Sequence, residues 1–324
     1  MSEKKTLHVL SWGGGTQSTA LMLRFLKGEV LDHKNEPIKL DYIIFADTNN
    51  ESEMTYEQVF KVRKYIKETY GYDIQITKRN EEYLPDDTII KMIQSGEIES
   101  YRQSKYYDLL QGHILNMKGV VNSVDMMPLY TRNTFGEVGK TSVKACTVVF
   151  KIAQLKKELR KLEGVKRFTK DTYKIVLYIG FSIDEVRRLK PSPDSYVENQ
   201  FPLVWMGMSK NDCINYVEKE LGFVPRSSVC NMCYANDVDT VYDVYKNDKK
   251  GYARLLDLDN ALADKHENYS LNNDLFMFKW QADDNMRLKD IDMEAYHQAW
   301  LEKRKTRTLF DDEQEFACMG GCFL

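Results

Sequence analysis

The sequence predicts an α/β protein, with a Rossmann-like parallel-sheet domain followed by a mostly helical C-terminal lobe. Three observations favour this class. A short apolar strand runs into a glycine-rich turn close to the N-terminus. Apolar strand-like segments then alternate with amphipathic helices. Beyond Val224 the apolar spacing is mostly helical, and this region carries four of the six cysteines.

The first five segments predict a β-α-β-α-β unit. Leu7–Ser11, Asp41–Ala46 and Tyr72–Thr77 are short apolar runs typical of buried strands. Between them, Gln17–Lys27 and Glu53–Tyr70 repeat apolar residues at helical spacing. Because parallel strands are joined through crossover helices, this order predicts a parallel sheet with right-handed connections.

The middle of the chain is less regular. Residues 85–144 mix short helical pieces with polar turns and are predicted to be an insertion with mobile loops. A basic amphipathic helix is predicted over Phe150–Leu162, and another strand of the same sheet over Lys174–Phe181. A further helix over Ser209–Leu221 opens on a capping box formed by Ser209 and Asp212.

These elements predict two domains. The first spans residues 1–205 and includes the insertion at 85–144. The second, residues 206–324, is the helical lobe with cysteine motifs.

Composition and charge limit the function classes. The chain has 324 residues, 43% of them hydrophobic, and a formal net charge of -3. An acidic balance does not favour nucleic-acid binding by the whole surface. A basic stretch is either the solvated face of a helix or a local nucleic-acid contact. Its members are Lys151, Lys156, Lys157, Arg160, Lys161, Lys166, Arg167 and Lys170.

No apolar run reaches the length of a membrane span, and the N-terminus lacks the pattern of a signal peptide. We therefore expect a cytoplasmic protein without membrane association. Cysteines in that reducing compartment favour metal, cluster or catalytic roles over disulfides.

The glycine-rich turn is the strongest functional signal. Consecutive glycines let the backbone approach phosphate oxygens, and the amides of the turn and the following helix start can form an anion nest. Neighbouring hydroxyls can add hydrogen bonds. The predicted phosphate-binding residues are Ser11, Gly13, Gly14, Gly15, Thr16, Gln17, Ser18 and Thr19. No lysine follows the glycines, so this is not the P-loop motif, and the GxGxxG pattern is also absent.

The turn resembles the SGGxDS signature of PP-loop ATP pyrophosphatases, with one extra residue and with Gln17 in place of the usual aspartate. Other segments resemble the branch that contains phosphoadenosine phosphosulfate (PAPS) reductases, phage PAPS reductase-like proteins and the phosphorothioation protein of the Dnd system. The matching segments are Phe45–Thr48 with Glu51 and Tyr56, Ala145–Thr147 with Phe150–Ile152, Gly180–Arg188, Pro202–Leu203 with Gly207–Met208 and Asp212–Cys213, Ser228–Cys233, and Cys318 with Cys322. The resemblance implies a HUP-type PP-loop fold that binds ATP or PAPS with Mg²⁺.

The cysteines predict a metal centre or, without metal, a redox dithiol or a pair of small apolar residues. Cys230 and Cys233 form a CxxC, a spacing that can present two thiolates to one metal or cluster. Tetrahedral zinc would take this pair with Cys318 and Cys322, whereas a [4Fe–4S] cluster would take it with Cys146 and one tail cysteine. The resemblance to cluster-dependent thiolases and to the phosphorothioation protein implies the cluster. Cys213 lies in an amphipathic helix and is predicted to be a core residue.

Charged residues follow two of the predicted strands. Asp47 and Thr48 lie at the carboxyl end of a strand, where ligands of open α/β sheets bind. Asp47 would contact Mg²⁺, ribose or adenine, or else cap a helix. Gly180 ends a later strand, and Arg187 or Arg188 beyond it would neutralise phosphate charge, unless these are surface residues. Lys151 is a weaker candidate for the same catalytic role.

Three functions are consistent with these signals. The favoured one is an ATP-dependent enzyme that adenylates an acceptor, a nucleic acid or small molecule, and transfers to it a sulfur carried on the cluster or on a cysteine. A sulfur-donor protein is a candidate partner. A second is a sulfonucleotide reductase in which Cys318 or Cys322 attacks PAPS. The third is a non-catalytic nucleotide-binding subunit of a modification or defence complex.

Overall fold

The computed structural model describes residues 4–48, 51–78, 129–140, 147–225, 230–264 and 273–305. The strands are β1 (Lys5–Ser11), β2 (Tyr42–Asp47), β3 (Ile74–Lys78), β4 (Tyr130–Asn133), β5 (Val138–Lys140), β6 (Tyr173–Ile179), β7 (Val197–Gln200) and β8 (Asn273–Phe276). The α-helices are α1 (Thr16–Leu26), α2 (Glu53–Tyr70), α3 (Ala153–Leu162), α4 (Pro202–Trp205), α5 (Lys210–Leu221), α6 (Val238–Asn247), α7 (Lys249–Asp264), α8 (Lys279–Asp284) and α9 (Met293–Lys305). A π-helical segment spans Thr147–Ile152, and 3-10 segments span Ile183–Arg188 and Leu288–Asp290.

The described residues fall into two compact units. The first takes in those of Met1–Asp47, Met54–Thr77 and Ile152–Ser228. The second takes in those of Thr48–Glu53, Lys78–Lys151 and Val229–Leu324.

The first unit is built on a five-stranded parallel sheet with the order β3-β2-β1-β6-β7. Strand β1 pairs with β2 on one side and with β6 on the other, so that Val9 lies opposite both Tyr42 and Leu177. Counted along this unit, the order is 3-2-1-4-5, which is Rossmann-like. The predicted α/β class with a parallel sheet is confirmed.

Helices cover both faces of this sheet, because strand residues alternate between two apolar cores. Leu10, Ile43 and Phe45 pack with α1, α2 and α5 on one face. Leu7 and Ile44 pack with α3 on the other. Burial on both faces explains why the strands read as continuous apolar runs in the sequence.

Helix α5 shows how local sequence defines an element of this unit. Ser209 accepts a hydrogen bond from the Asp212 amide, and the Asp212 carboxylate accepts one from the Ser209 amide, which confirms the predicted capping box. The helix ends at Gly222, which takes the left-handed conformation with φ of 71°. Cys213 is fully buried on its inner face, as predicted for a core residue.

The second unit combines helices α6 to α9 with a three-stranded antiparallel sheet of order β5-β4-β8. Its main core includes Val241 and Val244 of α6, Leu255 and Leu258 of α7, and Phe278. A buried carboxylate, Asp259, accepts hydrogen bonds from the Leu288 amide and from the side chains of Gln281 and Arg287.

Several expectations differ from this architecture. The prediction placed short helical pieces and loops over residues 85–144, but its described part forms strands β4 and β5. The predicted domain boundary at residue 205 does not separate the two compact units, because Ile152–Ser228 belongs to the first unit. Helix α5 packs against α1 and therefore belongs to the first unit. Strand β7 has half-buried residues without a clear apolar pattern, and the sequence did not predict it.

Within the described residues, no helix combines the length and apolar character needed to cross a membrane.

Candidate functional site

The glycine turn lies between β1 and α1, in the first unit. Gly14 has φ of 77°, a left-handed conformation that favours glycine. Gly15 is the N-cap residue of α1, in an extended conformation and without a side-chain capping hydrogen bond. The turn therefore leads into a helix start that no side chain caps.

Five consecutive main-chain amides of this turn are without an acceptor. Among the hydrogen bonds of the described residues, none is donated by the main-chain N–H of any residue from Gly14 to Ser18. These groups belong to the turn and the first residues of α1, where the helix dipole is positive. The backbone thus offers a set of donors suited to an anion.

The hydroxyl groups of the turn serve its own structure. Ser18 and Thr19 donate to the Gly15 carbonyl at 3.1 and 2.8 Å, and the Gly13 amide donates to Ser18 Oγ at 3.2 Å. Thr16, which is buried, donates to the Pro225 carbonyl at 2.5 Å. These three predicted ligand hydroxyls stabilise the turn in this structure. Ser11 ends β1 immediately before it.

One aromatic and one amide side chain stabilise the turn from inside the core, and the sequence analysis predicted neither contact. Trp12 is buried and its indole N–H donates to Thr19 Oγ1 at 3.0 Å. Gln58 of α2 is buried and donates to the Gly14 carbonyl at 3.1 Å. Gln58 stands at helical spacing from Val62 on the buried face of α2, and this spacing was the available signal for the contact.

The turn lies at the switch point of the sheet. Strands β1 and β6 are neighbours, and the order of strands reverses between them. Ligands of open α/β sheets bind in the crevice at this place, beyond the carboxyl ends of the strands. Gly180 follows β6 and approaches α1 so closely that a Cβ there would lie 2.6 Å from Ser18 Cα. The predicted grouping of Gly180 with the turn is therefore a direct contact.

Gln17 joins the turn to the segment after β6. Its side-chain amide donates to Ser182 Oγ at 3.0 Å and to Glu185 Oε2 at 2.6 Å. Ser182 is fully buried and donates in turn to Asp184. Asp184 also accepts from the Lys210 amide at the start of α5.

The two candidate arginines have different environments. Arg188 pairs with Glu185 through its guanidinium, which lies 4.4 Å from the centre of the Phe181 ring. The side chain of Arg187 is exposed, and no described carboxylate pairs with it. Arg188 is thus held by its neighbours, whereas Arg187 is available to a ligand.

Asp47 ends β2 at the same carboxyl edge of the sheet. Its Oδ1 accepts a hydrogen bond from the Tyr56 hydroxyl of α2 at 2.8 Å. Tyr56 and Asp47 belong to the same matching segment of the sequence, and this hydrogen bond shows that their side chains lie together.

The second unit contains the CxxC pair and three polar neighbours of Cys230. Cys230 forms a β-bridge with Glu51, a buried carboxylate that accepts from the Thr48 hydroxyl at 2.9 Å. Burial and the nearby Glu51 raise the pKa of Cys230 to about 12, while Lys151 and Thr48 act in the opposite direction. Thr48 and Lys151, predicted for nucleotide binding and catalysis, thus lie in the surroundings of this cysteine.

Among the described residues neither cysteine of the CxxC forms a disulfide, and both are partly exposed. The Cys233 amide donates to the Cys230 carbonyl at 2.9 Å, which forms a tight turn. Asn236 closes this turn by donating to the carbonyls of Cys230 and Asn231. Cys146, Cys318 and Cys322 lie outside the described residues, and the predicted metal centre stays a prediction. Among the described residues, no three potential ligands gather into a metal-binding group.

The basic stretch extends to the opposite edge of the sheet from the glycine turn. Residues 163–172 connect α3 to β6, and Lys5 at the start of β1 bonds to both Glu163 and Thr172. Lys166, Arg167 and Lys170 therefore lie beside the amino ends of the central strands. A nucleic acid bound there would not be at the switch point.

No family model and no curated protein matches this chain.

Proposed function

We propose that the first unit is a PP-loop domain of the HUP type that binds an adenine nucleotide through the turn from Gly13 to Ser18. The observation that carries this proposal is the run of acceptor-free amides from Gly14 to Ser18 at the switch point of a Rossmann-like sheet. Phosphate oxygens are the ligands that such a helix start and backbone nest bind best. The strand order also supports a nucleotide-binding domain.

The neighbouring side chains support phosphate chemistry at this turn. Arg187 is exposed beyond β6 and would neutralise charge on a phosphate. Asp47, a hard oxygen ligand at the end of β2, fits the ligand preference of Mg²⁺. When bound, Mg²⁺ would offset the negative charge of the triphosphate.

The reaction we propose is ATP-dependent adenylation of an acceptor, a nucleic acid or a small molecule. An acceptor oxygen attacks the α-phosphorus, the bond to the bridging oxygen breaks, and pyrophosphate leaves. A sulfur nucleophile then forms a bond to the acceptor carbon and displaces AMP. Fixed amides contribute by holding the phosphates in line and by stabilising the charge that develops on them.

The CxxC turn fits the sulfur part of this proposal. Cys230 and Cys233 lie on one tight turn, and thiolates are the ligands of both zinc and iron–sulfur centres. A [4Fe–4S] cluster bound there would supply a site that holds sulfide. Cys146 and one of Cys318 or Cys322 would complete its ligands, whereas zinc would use both tail cysteines.

Calorimetric titration of the purified protein with ATP and with PAPS tests the binding step. We expect ATP to bind in the presence of Mg²⁺ and pyrophosphate to be released when the correct acceptor is added. Turnover of PAPS with thioredoxin would instead identify a sulfonucleotide reductase. Binding of ATP without pyrophosphate release on any nucleic acid would favour a non-catalytic subunit, and no binding of either nucleotide would refute the proposal.

A further inference from the structure

Gln17 stands where the PP-loop signature has an aspartate, and its contacts indicate why. Its amide group donates to Ser182 Oγ and to Glu185 Oε2, and the second of these bonds is only 2.6 Å long. A carboxylate at position 17 could not donate either bond. It would also place a second negative charge against Glu185, and like charges at this distance repel strongly.

Glu185 is held from the other side as well. Its second oxygen pairs with Arg188, whose guanidinium lies 4.4 Å from the Phe181 ring centre. The side chains of Glu185 and Arg188 are 21% and 15% exposed, so water screens this pair only partly. One carboxylate thus connects the start of α1 with the 3-10 segment that carries both candidate arginines.

The backbone of the segment after β6 packs closely against the start of α1. A Cβ at Gly180 would lie 2.6 Å from Ser18 Cα and 2.8 Å from Ser18 N. The start of α1 and the segment after β6 therefore have little room to shift independently. A shift of the start of α1 away from the segment after β6 would therefore also move the amides of the turn.

We propose that Gln17 and Glu185 are a matched pair of positioning residues that hold the glycine turn against the segment after β6, with Gln17 as donor and Glu185 as acceptor. The pair sets the positions of the amides from Gly14 to Ser18. The inference rests on the proposed function where it concerns nucleotide affinity, and on the contacts of Gln17 and Glu185 alone where it concerns the order of the turn. It follows that a carboxylate at position 17 requires the loss of the carboxylate at 185.

A charge exchange between the two positions tests the pairing. Three variants of the full chain are compared with wild type: Gln17→Glu, Glu185→Gln, and the double variant Q17E/E185Q. We expect Gln17→Glu to weaken ATP binding about tenfold or more, a factor that corresponds to roughly 1.4 kcal/mol. The double variant restores a donor at 185 and an acceptor at 17, so we expect it to recover most of that loss.

Hydrogen exchange of the nucleotide-free protein provides a readout that does not depend on nucleotide binding. We expect faster exchange in Gln17→Glu for the hydrogen-bonded amides beside this contact, those of Gly13, Thr19 and Glu185, and slower exchange again in the double variant. Gln298→Glu adds the same charge to an exposed position of α9, in the second unit, and should change neither measurement.

The outcomes separate this inference from the proposed function. Gln17→Glu is expected to weaken ATP binding or loosen the turn. If the double variant Q17E/E185Q then recovers neither, the pairing is refuted, because the effect is only that of an added charge or of misfolding. If wild type binds no nucleotide but the exchange data show rescue, the pairing stands and the proposed function fails.

Discussion

Single backbone conformations decide whether the glycine turn can hold an anion. Gly14 adopts φ of 77°, where an L-residue with a Cβ is strained by about 1–2 kcal/mol. Its carbonyl accepts from Gln58, so that the peptide is fixed in one orientation. Gly180 is required for a different reason, because a Cβ there would collide with the backbone of Ser18.

Gly14→Ala and Gly164→Ala form a matched pair of variants. Both glycines are left-handed, with φ of 77° and 65°, but Gly164 lies in a surface turn after α3 with open space around it. We expect each variant to lose about 1 kcal/mol of unfolding free energy in urea denaturation. Only Gly14→Ala should also lose ATP affinity in calorimetry. Equal ATP affinities in the two variants would contradict the assignment of the turn as the phosphate site.

At the scale of elements, Glu163 connects the end of α3 to the starts of three strands. It accepts from Lys5 at 2.7 Å, from Tyr42 at 2.8 Å and from Tyr173 at 3.2 Å, and its side chain is 3% exposed. Burial raises the pKa of Glu163, but the hydrogen bonds from Lys5 and the two tyrosines outweigh it and lower the pKa overall. These bonds fix the amino edge of the sheet, opposite the candidate site.

The lowered pKa of Glu163 predicts a pH dependence. Its stabilisation is fully present above the ordinary carboxyl pKa and is lost as the pH falls through the lower, folded-state pKa. We expect the unfolding free energy of Glu163→Ala to be about 2 kcal/mol below that of wild type near neutral pH, and the difference to be smaller in acid. Urea denaturation of both proteins, near neutral pH and in acid, measures this difference.

Glu302→Ala is the control for this experiment. Glu302 pairs with Lys305 on α9, but both side chains are about 70% exposed, so we expect a loss of less than about 0.5 kcal/mol. A loss in Glu163→Ala no larger than this would show that the cluster does not stabilise the sheet edge.

At the scale of the whole molecule, the cysteines fall into different environments. Cys213 is fully buried among apolar side chains of the first unit. Cys230 and Cys233 lie on a partly exposed turn of the second unit. This contrast separates a core cysteine from a pair that remains available to a metal or cluster.

Anaerobic purification with iron, sulfide and zinc analysis tests the cysteine hypothesis. We expect wild type to contain iron and sulfide, and Cys230→Ala or Cys233→Ala to lose them. Cys213→Ala should retain the metal, while losing about 1 kcal/mol of stability through a small cavity. Stoichiometric zinc without iron would exclude the sulfur-carrying cluster, and unchanged metal content in Cys230→Ala would remove that cysteine from the ligands.

The sequence by itself determined the α/β class, helix α2, the capping box of α5 and the core position of Cys213. Each of these depends on spacing within one segment, which apolar periodicity and capping chemistry reveal directly. Tertiary structure alone decided that Gln58 holds Gly14, that Gln17 meets Glu185, and that Lys166 lies at the far edge of the sheet. Such contacts join residues tens to more than a hundred positions apart, and only the order of the strands brings them together.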